Sequence, residues 1–578
     1  MQTDEEKTKY IMQMMKLHED IRNPYESMID EIIKFVNHSR RKISDRDTQK
    51  GQKTGIDIYD GTALSALNLA SDCIHGYLCS SSIHWFDLTL PVKMDFSRTA
   101  GMRSWIGKRL DEYPEVKIWL DECEEAMYWA YLKSNFYEFH PDYVKEGMSV
   151  GTATAIIEED IKTGTVIFTL PHFRECYIAE NNHGLVDSLY RKYKVSLRQL
   201  IQKYGAKTVF ELDVNLKKSY ENDPHQEVEI IHAVFPREDY DPSIVNGKNK
   251  PIASFCIYPN GQKKLIDESG FNELPSVTWR WRKNNDELYG RSPSWDCLID
   301  IKKANKQAMT NLIAGEKMVR PPMFGHATMR NKINSNPGGW SWTDGTIKED
   351  MPQPLITGIQ LPFGIDQQER TDAAIKEHYY VSFFLMLYQA MMNKVELTAT
   401  QTIGMQAEQA ALLGTRIGRH QFEGLNRIMD RVFLIEARAG RLPQPPQILE
   451  EYVNEPISIE YLGPLSQSQK KLFKMQGIRA GLEMAAQVGQ VFPDALDNID
   501  GNILLKESLD SVSFPPICIR PEEKVEEIRL YRQQQEEEDR KLQQIEIAAK
   551  AGQRMTRKID EGSLLDEVSR AESEDEEV

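Results

Sequence analysis

Residues 292–320 of the chain read SPSWDCLIDIKKANKQAMTNLIAGEKMVR, and residues 367–392 read QQERTDAAIKEHYYVSFFLMLYQAMM. In the first segment Ser292 suits the N-cap, and Pro293 suits the first helical position, where its missing N–H costs nothing. Apolar residues then recur at steps of three and four, the spacing of one helical face: Leu298, Ile301, Ala304, Ala308 and Leu312. We therefore predict a long helix here and a second long helix over 367–392.

The residues between these two helices have the composition of turns. Residues 321–366 are rich in Pro and Gly, as at 336–339 (NPGG), and are expected to form turns and short strands. In the second helix the uninterrupted apolar tract from Phe383 to Tyr388 is too short to cross a bilayer, which requires roughly 20 residues. The segment is thus predicted to be a helical hairpin inside a protein and not a membrane anchor.

Length and charge bound the class of the protein. The 578 residues carry a formal net charge of −17, and a length of about 150 residues per domain predicts three or four domains. The acidic balance argues against a general nucleic-acid binder, because such binding requires clustered Lys and Arg that release counterions. A polynucleotide handled by this chain is expected to slide past it.

Cysteine usage and the first residues indicate where the protein is assembled. The seven cysteines are scattered without a C-x-x-C pair, as expected of free thiols in a reducing cytoplasm. The first residues, MQTDEE, are acidic and polar and do not resemble a signal peptide. We expect the protein to be located in the cell interior or in a particle assembled there.

The part of the chain before residue 151 is predicted to be helical. Thr3 and Glu6 fit a capping box, and Asn23 with Pro24 predicts the start of a second helix. Further helices are predicted from Thr62 to Cys79 and from Pro114 onward. The basic stretch 39–55 is either a solvated loop, the reading we favour, or an arm that contacts phosphate or a partner.

From Gly151 the periodicity changes to that of strands, which predicts a small mixed α/β domain. Two β-rich segments, 152–158 and 165–170, flank a plausible hairpin turn, and 181–184 (NNHG) is a second turn signal. Ser196 with Gln199 predicts a capped short helix that Gly205 ends. Three further strands are predicted at 228–235, 252–257 and 276–281.

After the hairpin the chain is predicted to return to helix. Thr398 with Gln401 suggests another capping box, and the helix that follows should end at Gly440. Two more helices are predicted over 464–491 and 521–551. Residues 559–578 contain nine acidic residues and one arginine, a composition that cannot bury a core and predicts disorder.

No motif for catalysis, cofactor binding or metal binding stands out. Residues 101–108 differ from a phosphate loop, because five residues separate Gly101 from Gly107 where four are needed and Arg109 replaces the Ser/Thr. Cys73 and His75 lie two apart on a predicted helix and therefore point in different directions, so a metal cluster with Cys79 and His84 is disfavoured. We predict a protein that is not an enzyme and has no cofactor.

Several short blocks, taken together in their order, resemble the portal proteins, or head-to-tail connectors, of short-tailed bacteriophages. The block LTATQ (397–401) is similar to the junction that usually reads MTATE in that family, with Gln401 keeping the cap but losing a charge. The other blocks are YDGTA (59–63), LAS (69–71), WF (85–86), YGRSP (289–293), RPP (320–322), and YLGPL (461–465) followed by Gln469.

The resemblance implies a helix-rich α+β subunit with wing, stem, clip and crown regions. The implied boundaries are 1–290 for the N-terminal wing, 291–320 for the first stem helix, 321–366 for the clip, 367–392 for the second stem helix, 393–400 for the tunnel loop, 401–465 for the wing's long helix and following strand, 466–551 for the helical crown and 552–578 for the acidic tail.

The resemblance also implies a ring, usually of twelve copies, at one capsid vertex of the virion, assembled in the host cytoplasm. Double-stranded DNA would pass along its axis during packaging and ejection. The implied partners are the terminase motor, the major capsid and scaffolding proteins, and tail adaptor or nozzle proteins, with no membrane.

Candidate contact residues follow from the same resemblance. The tunnel loop would bring Asn393, Lys394, Val395, Glu396 and Leu397 to the DNA. There Lys394 would contact phosphate briefly while Glu396 prevents trapping; the alternative is that both are ordinary exposed loop residues. Lys302, Lys303 and Lys306 of the first stem helix would face either the channel or a neighbouring subunit. The clip would dock partners through Arg320, His326, Arg330, Lys332, Trp340 and Trp342.

Two other classes of function compete with this prediction. A tail or adaptor ring protein would lack the paired stem helices, so the predicted hairpin argues against it. A DNA-processing nuclease or ATPase would need carboxylates converging on a metal ion or a phosphate loop, and neither pattern is present in the sequence.

Overall fold

The structure is a computed structural model of the chain. It describes residues 3–38, 57–81, 84–89, 114–244, 246–321, 323–324, 353–354, 361–385, 414, 418–446 and 449, and helical residues between 475 and 547. The chain divides into two compact units, Met1–Gln469 and Lys470–Val578. The described part of the first unit consists of helices, antiparallel sheets of three and five strands, and a two-stranded ladder, which confirms the helix-rich α+β class.

The first helix, α1, runs unbroken from Asp4 to Phe35. The predicted capping box of Thr3 and Glu6 is confirmed, whereas the predicted helix start at Pro24 is wrong, because Pro24 lies inside α1. Tertiary packing outweighs the lost backbone hydrogen bond: Arg22, which is buried, donates to the carbonyl oxygens of residues 173, 174 and 176. Buried apolar residues lie on both sides of Pro24 and pack into different cores: Ile11 and Met15 before it, Ile29 and Ile33 after it.

Three further helices pack around the largest core of the first unit. They are α2 (Thr62–Leu78), α3 (Pro114–Lys133) and α4 (Phe136–Val150). The first two were predicted, but α4 was not, since Pro141 lies within it. Trp85 and Phe86 are fully buried beside these helices, and the Trp85 ring stacks on Phe136 with 5.5 Å between centroids.

The chain leaves α4 through a left-handed residue. Gly151 has φ 102°, and a Cβ atom there would overlap the carbonyl oxygen of Gly290. A glycine is therefore required where the end of α4 meets the segment that leads into the helical hairpin.

A three-stranded sheet follows, in the order β2-β1-β8. The predicted hairpin is confirmed, with β1 (Thr152–Asp160) antiparallel to β2 (Thr165–Thr169). The third strand, β8 (Ser276–Arg280), pairs antiparallel with β1. The third strand of this sheet thus comes from much later in the sequence than the other two.

A five-stranded antiparallel meander lies between β2 and β8 in the sequence, in the order β3-β4-β5-β6-β7. The predicted strands at 228–235 and 252–257 are confirmed as β5 and β6. The meander contains β3 (Cys176–Glu180), β4 (Val186–Ser196), β5 (Glu227–Pro236), β6 (Ile252–Tyr258) and β7 (Lys264–Phe271).

Helices cover both faces of the meander. Strand β5 places Val228 and Ile230 on one face, in a core with α5 (Leu197–Tyr204), α6 (Ala206–Leu212) and α7 (Val214–Asn222). It places Ile231 and Ala233 on the other face, in a core with Ile11 of α1. The two residues of each pair are two positions apart, as expected of a strand whose alternate side chains are buried on opposite faces. Ser196 and Gln199 form the predicted capping box of α5, which Gly205 ends.

The helical hairpin comprises α8 (Pro293–Val319), α9 (Leu361–His378) and a short α10 (Val381–Phe384). The N-cap at Ser292 is confirmed. The prediction that the second helix begins at 367 is wrong: α9 begins at Leu361, because Pro362 falls in the first turn, where its missing N–H costs nothing.

The second helix is also interrupted where the prediction made it continuous. Tyr380 has φ 60°, which ends α9 before α10 begins. This conformation is unfavourable for a tyrosine. The neighbouring Tyr379 offsets that cost, since its ring is fully buried and its hydroxyl lies 2.7 Å from Ser294 Oγ. Residues 386–392 of the predicted helix lie outside the described residues.

The first unit closes with a helical segment at 418–438 that contains a π-helical turn. The turn spans His420–Leu425 and leads into α11 (Asn426–Arg438). Gly440, with φ 68°, follows the end of this helix as predicted. The π-helical turn was not predicted; such turns are rare and are frequent at functional sites.

A buried ion pair joins this π-helical turn to both sheets. Arg280 of β8 has no exposed surface, and its guanidinium donates to both carboxylate oxygens of Glu423, at 3.2 and 2.9 Å. The same guanidinium pairs with Glu180 of β3 and donates to the carbonyl oxygen of Gly184 at 2.8 Å. One side chain therefore connects β8, the end of β3 and the π-helical turn.

In the second unit, Lys470–Val578, the structure describes helical residues at 477–487, 528–535 and 540–543, which lie within the helices predicted for 464–491 and 521–551. It also describes helical residues at 501, 504–505 and 508–509, where no helix was predicted. The assignment of this unit as a crown stays a prediction.

Replacing Glu423 by Gln should destabilise the first unit by about 3–5 kcal/mol, because it removes one of the two carboxylates that neutralise the buried Arg280 charge. The measurement is urea unfolding at constant oligomeric state. Asp296→Asn is the matched control: it breaks the partly exposed pair with Arg282 and should cost at most about 1 kcal/mol. Equal costs for the two variants would contradict a dominant role for the buried pair.

Candidate functional site

The hairpin of α8 and α9 is the candidate functional site. Near its base, Ser294 lies beside Tyr379. Further along, the Asn311 amide donates to the carbonyl oxygen of Gly364 at 3.1 Å and to Gln368 Oε1 at 2.9 Å. The start of α8 thus contacts the residue that follows α9, and the later part of α8 contacts the start of α9. The two helices therefore run antiparallel.

The base of the hairpin is anchored on the C-terminal end of α4. The hydroxyl of Ser292 donates to the carbonyl oxygen of Ser149 at 2.7 Å, and that of Ser294 donates to the carbonyl oxygen of Met148 at 3.1 Å. The Trp295 indole donates to the carbonyl oxygen of Val150 at 3.0 Å. These bonds satisfy carbonyls that α4 leaves unpaired at its end and fix the direction in which the hairpin leaves the core.

The far half of the hairpin has no core of its own. None of residues 305–319 of α8 and none of residues 361–370 of α9 is buried. Large apolar side chains are instead exposed there: Leu312, Ile313, Met318, Val319, Phe363 and Ile365, with Val319 at 82%. Two helices that bury so little of their apolar surface are marginally stable in isolation.

The two helices carry opposite charge balances. Residues 302–317 of α8 contain four lysines and one glutamate, whereas residues 361–378 of α9 contain four acidic and two basic residues. A hairpin of this kind presents a basic helix and an acidic helix side by side.

The predicted stem lysines have different surroundings. Lys302 forms an ion pair with Glu31 of α1, so this lysine points toward the first helix. Both side chains are partly exposed, and the pair contributes little to stability. Lys303 and Lys306 are exposed on α8. Of the three, these two are therefore available to a ligand or to another subunit.

Most of the other predicted contact residues lie outside the described part of the chain. Arg320 is described; it is exposed, and its backbone N–H caps α8 by donating to the carbonyl oxygen of Glu316 at 2.8 Å. In the predicted clip the structure describes a two-residue antiparallel ladder, β9 (Met323–Phe324) with β10 (Gln353–Pro354). Outside the described residues lie His326, Arg330, Lys332, Trp340 and Trp342, and the loop residues Asn393, Lys394, Val395, Glu396 and Leu397.

Two asparagines of α8 were missed at the sequence level. Besides Asn311, Asn305 accepts from the backbone N–H of Tyr59 at 2.7 Å and donates to the carbonyl oxygen of Asp57 at 3.2 Å. Their spacing of six residues is not a helical-face pattern, and each bond joins segments far apart in sequence. No local signal could have identified them.

The alternatives weighed for a metal site and a membrane segment gain no support. Of the four residues considered, His75 and Cys79 both lie near His140, while His84 lies 3.4 Å from Glu124. Among the described residues, no group of three or more His, Cys, Asp or Glu side chains is arranged to hold a metal ion. Nor does any described helix combine the length and the apolar character that crossing a membrane requires.

Comparison with known proteins decides the family. Residues 7–519 match the family described as "Bacteriophage head to tail connecting protein". The chain belongs to this family. The connector is similar to the "Portal protein" of Salmonella phage epsilon15, with 28% identity and 92% of each chain covered. It is also similar to the "Probable portal protein" of Bordetella phage BPP-1, with 27% identity and 91% of each chain covered.

The family assignment bears on two predictions. It confirms the resemblance from which wing, stem, clip and crown were inferred, and it supports a structural role for the connector rather than an enzymatic one. The positions of the domain boundaries and of the contact residues stay predictions.

Close approach of α8 and α9 can be tested at Gly364, where an added Cβ would overlap Asn311 Oδ1. Gly364→Val should destabilise the hairpin by about 1–3 kcal/mol, because the Asn311 side chain must move away and lose its hydrogen bonds to Gly364 and Gln368. The matched control is Gly315→Ala in α8, whose Cβ meets nothing within 4 Å. It should stabilise by up to about 1 kcal/mol, as replacing a helical glycine does.

The two glycine variants are compared by urea unfolding at one protein concentration and in one oligomeric state. If Gly315→Ala destabilised the protein as much as Gly364→Val or more, the close approach of α8 and α9 at Gly364 would be contradicted.

Proposed function

We propose that the connector is a portal subunit: copies of it form a ring at one vertex of a phage capsid, and double-stranded DNA passes along the ring axis during packaging and ejection. The observation that carries this proposal is the far half of the α8–α9 hairpin, which exposes apolar side chains and buries none. Such a hairpin needs neighbours, and identical hairpins set side by side in a closed ring supply them.

Burial of the apolar side chains of the far half would favour this association. Fully burying a Leu, Ile, Val, Phe or Met side chain contributes about 1.5–3 kcal/mol. Leu312 is 54% exposed and Phe363 60% exposed. Contacts with a copy on each side would remove much of this surface from water. The basic α8 of one copy beside the acidic α9 of the next would add attraction between copies.

The charge of the chain suits a conduit better than a tight DNA binder. A net charge of −17 does not favour lasting contact with a polyanion. Exposed lysines repeated around a ring, such as Lys303 and Lys306, would give brief phosphate contacts. In the proposed tunnel loop, 393–400, Lys394 would act in the same way and Glu396 would limit the residence of the phosphate.

The remaining partners follow from the portal role. The proposed clip, 321–366, would dock the terminase motor during packaging and tail adaptor or nozzle proteins afterwards, through residues such as Arg320 and Trp340. Major capsid and scaffolding proteins would surround the ring, usually of twelve copies. That two similar proteins are named as portal proteins supports this assignment.

The ring can be tested at the apolar far half of the hairpin. Leu312→Gln combined with Ile313→Gln should raise the concentration at which the oligomer dissociates by about tenfold or more, because apolar contacts between copies are lost. Mass photometry and negative-stain imaging measure the oligomer. The control is Ile161→Gln, at the tip of the β1–β2 turn and 89% exposed, which should leave the ring intact.

Wild-type particles without an axial opening would overturn the proposed conduit, and intact rings of the double variant would overturn the role of these two side chains. Circular dichroism of the variant distinguishes lost assembly from unfolding.

Passage of DNA can be tested at the proposed tunnel loop. Lys394→Ala with Glu396→Ala should change the amount of DNA packaged and the fraction retained, since the pair is proposed to set how long phosphate stays in contact. Packaged genome length in particles assembled with each variant is the measurement. Unchanged packaging and unchanged retention would count against a channel role for this pair.

A further inference from the structure

Three histidines from distant parts of the sequence form a hydrogen-bonded chain in the first unit. His75 Nδ1 of α2 lies 2.9 Å from His140 Nδ1 of α4. His140 Nε2 lies 3.1 Å from His420 Nε2, the first residue of the π-helical turn. His140 and His420 are buried, whereas His75 is partly exposed. The chain thus runs from solvent to the place where the segment 418–438 meets α2 and α4.

The hydrogen bonds of this chain are consistent with neutral rings. A neutral imidazole has one N–H donor and one acceptor nitrogen. If His420 donates to His140, and His140 donates to His75, no N–H is left buried without an acceptor, and the remaining His75 N–H points to the exposed end. His420 Nδ1, which has no hydrogen-bond partner among the described residues, then carries no hydrogen.

Among the described residues, no free charge lies where it could compensate a proton added to this chain. The carboxylate of Glu423, one turn from His420, is already held by Arg280 and by Arg419 at 3.0 Å. Asp72 lies near His75, at the partly exposed end. Burial lowers the pKa of His75, and the Asp72 charge raises it by a smaller amount.

In the part of the protein that the structure describes, the other titratable groups around the chain offer no second counter-charge. Tyr137 contacts His75, Tyr143 contacts His140 and His420, and burial raises the pKa of both phenols, so both stay neutral. Cys79, whose Sγ lies 3.8 Å from His140 Nε2, is a buried thiol. The positive charge of Arg427 lowers the pKa of Tyr143, by less than burial raises it, and cannot compensate a proton. From β8, the Trp279 ring lies edge-on to His420 at 4.3 Å between centroids.

We propose that the chain His75–His140–His420 is a proton-operated latch, which holds the segment 418–438 on α2 and α4 while neutral and loosens it when protonated. This segment lies in the later half of the helix predicted after the proposed tunnel loop, so the latch would control how firmly that half is held. The latch itself does not depend on the portal role, because all its contacts lie within one subunit.

The direction of the pH effect follows from the buried rings. Burial lowers the pKa of His420 to about 3 and, together with its histidine neighbours, lowers that of His140 well below its ordinary value. The open state, with ordinary histidines near pKa 6.5, therefore binds more protons than the closed state. The closed latch is fully stable above about pH 6.5 and weakens as the pH falls below it, by about tenfold per pH unit for each proton taken up.

Hydrogen exchange of the intact protein tests the latch. Amides of 426–438 should lose at least tenfold in protection between pH 7.5 and 5.5, after correction for intrinsic exchange, while those of strand β1, which contains no histidine, should not. His420→Phe should reduce this loss to less than threefold, because the aromatic packing on Trp279 is kept but the titrating ring is removed. His75→Gln, at the partly exposed end of the chain, should also reduce it. His183→Gln, which replaces an exposed histidine elsewhere, should leave it unchanged.

Two results would overturn the latch. One is equal protection of 426–438 at both pH values in the wild-type protein. The other is a full wild-type pH response in His75→Gln, and in His420→Phe if that variant folds. A variant that lowers protection by the same factor at both pH values, with the pH response unchanged, would show that its histidine only fills space.

Discussion

The complete burial of the Arg280 guanidinium is the constraint on which the first unit depends. A charge in that position is tolerable only if carboxylates and carbonyls meet it from several directions. They come from the π-helical turn through Glu423, from β3 through Glu180, and from the adjoining turn through Gly184. Displacing any one of these elements exposes the charge to an environment that cannot solvate it, so the three elements are held in one arrangement.

The same unit combines a rigid base with an incomplete extension. The hairpin is fixed where serine hydroxyls and an indole meet the end of α4. Beyond Ala304 none of the described residues of α8 is buried. The fixed base sets the direction in which the hairpin extends from the core. Its far half remains unburied, so its surface is open to contact with other chains. This division suits a subunit whose final form is reached only in an assembly.

Local signals in the sequence were sufficient wherever a few neighbouring residues determine the structure. The capping boxes at Thr3 and Ser196 and the turn before Thr165 are examples, since their hydrogen bonds join residues only a few positions apart. Local rules failed at Pro24 and Pro141, which lie inside helices because packing of both flanks outweighs one lost bond. They failed again at Tyr380, where burial of a neighbour imposes the backbone conformation.

The candidate site was predicted in outline and not in detail. Two helices joined by turns could be predicted from periodicity, and the family from short blocks of sequence. The anchoring serine bonds, the asparagine bonds of α8 and the histidine chain could not, because each joins residues from 53 to 280 positions apart. Such contacts are known only once the fold brings the segments together.

The pairing of β1 with β8 has a consequence for the order in which the chain folds during synthesis. The meander joins strands that are neighbours in sequence, so it can form as soon as residue 271 has left the ribosome. Strand β1 must wait for β8, more than one hundred residues later, and Arg280 must wait a further 143 residues for Glu423. A nascent chain therefore lacks a finished first unit until nearly all of that unit has been translated, which delays the docking of incomplete subunits on one another.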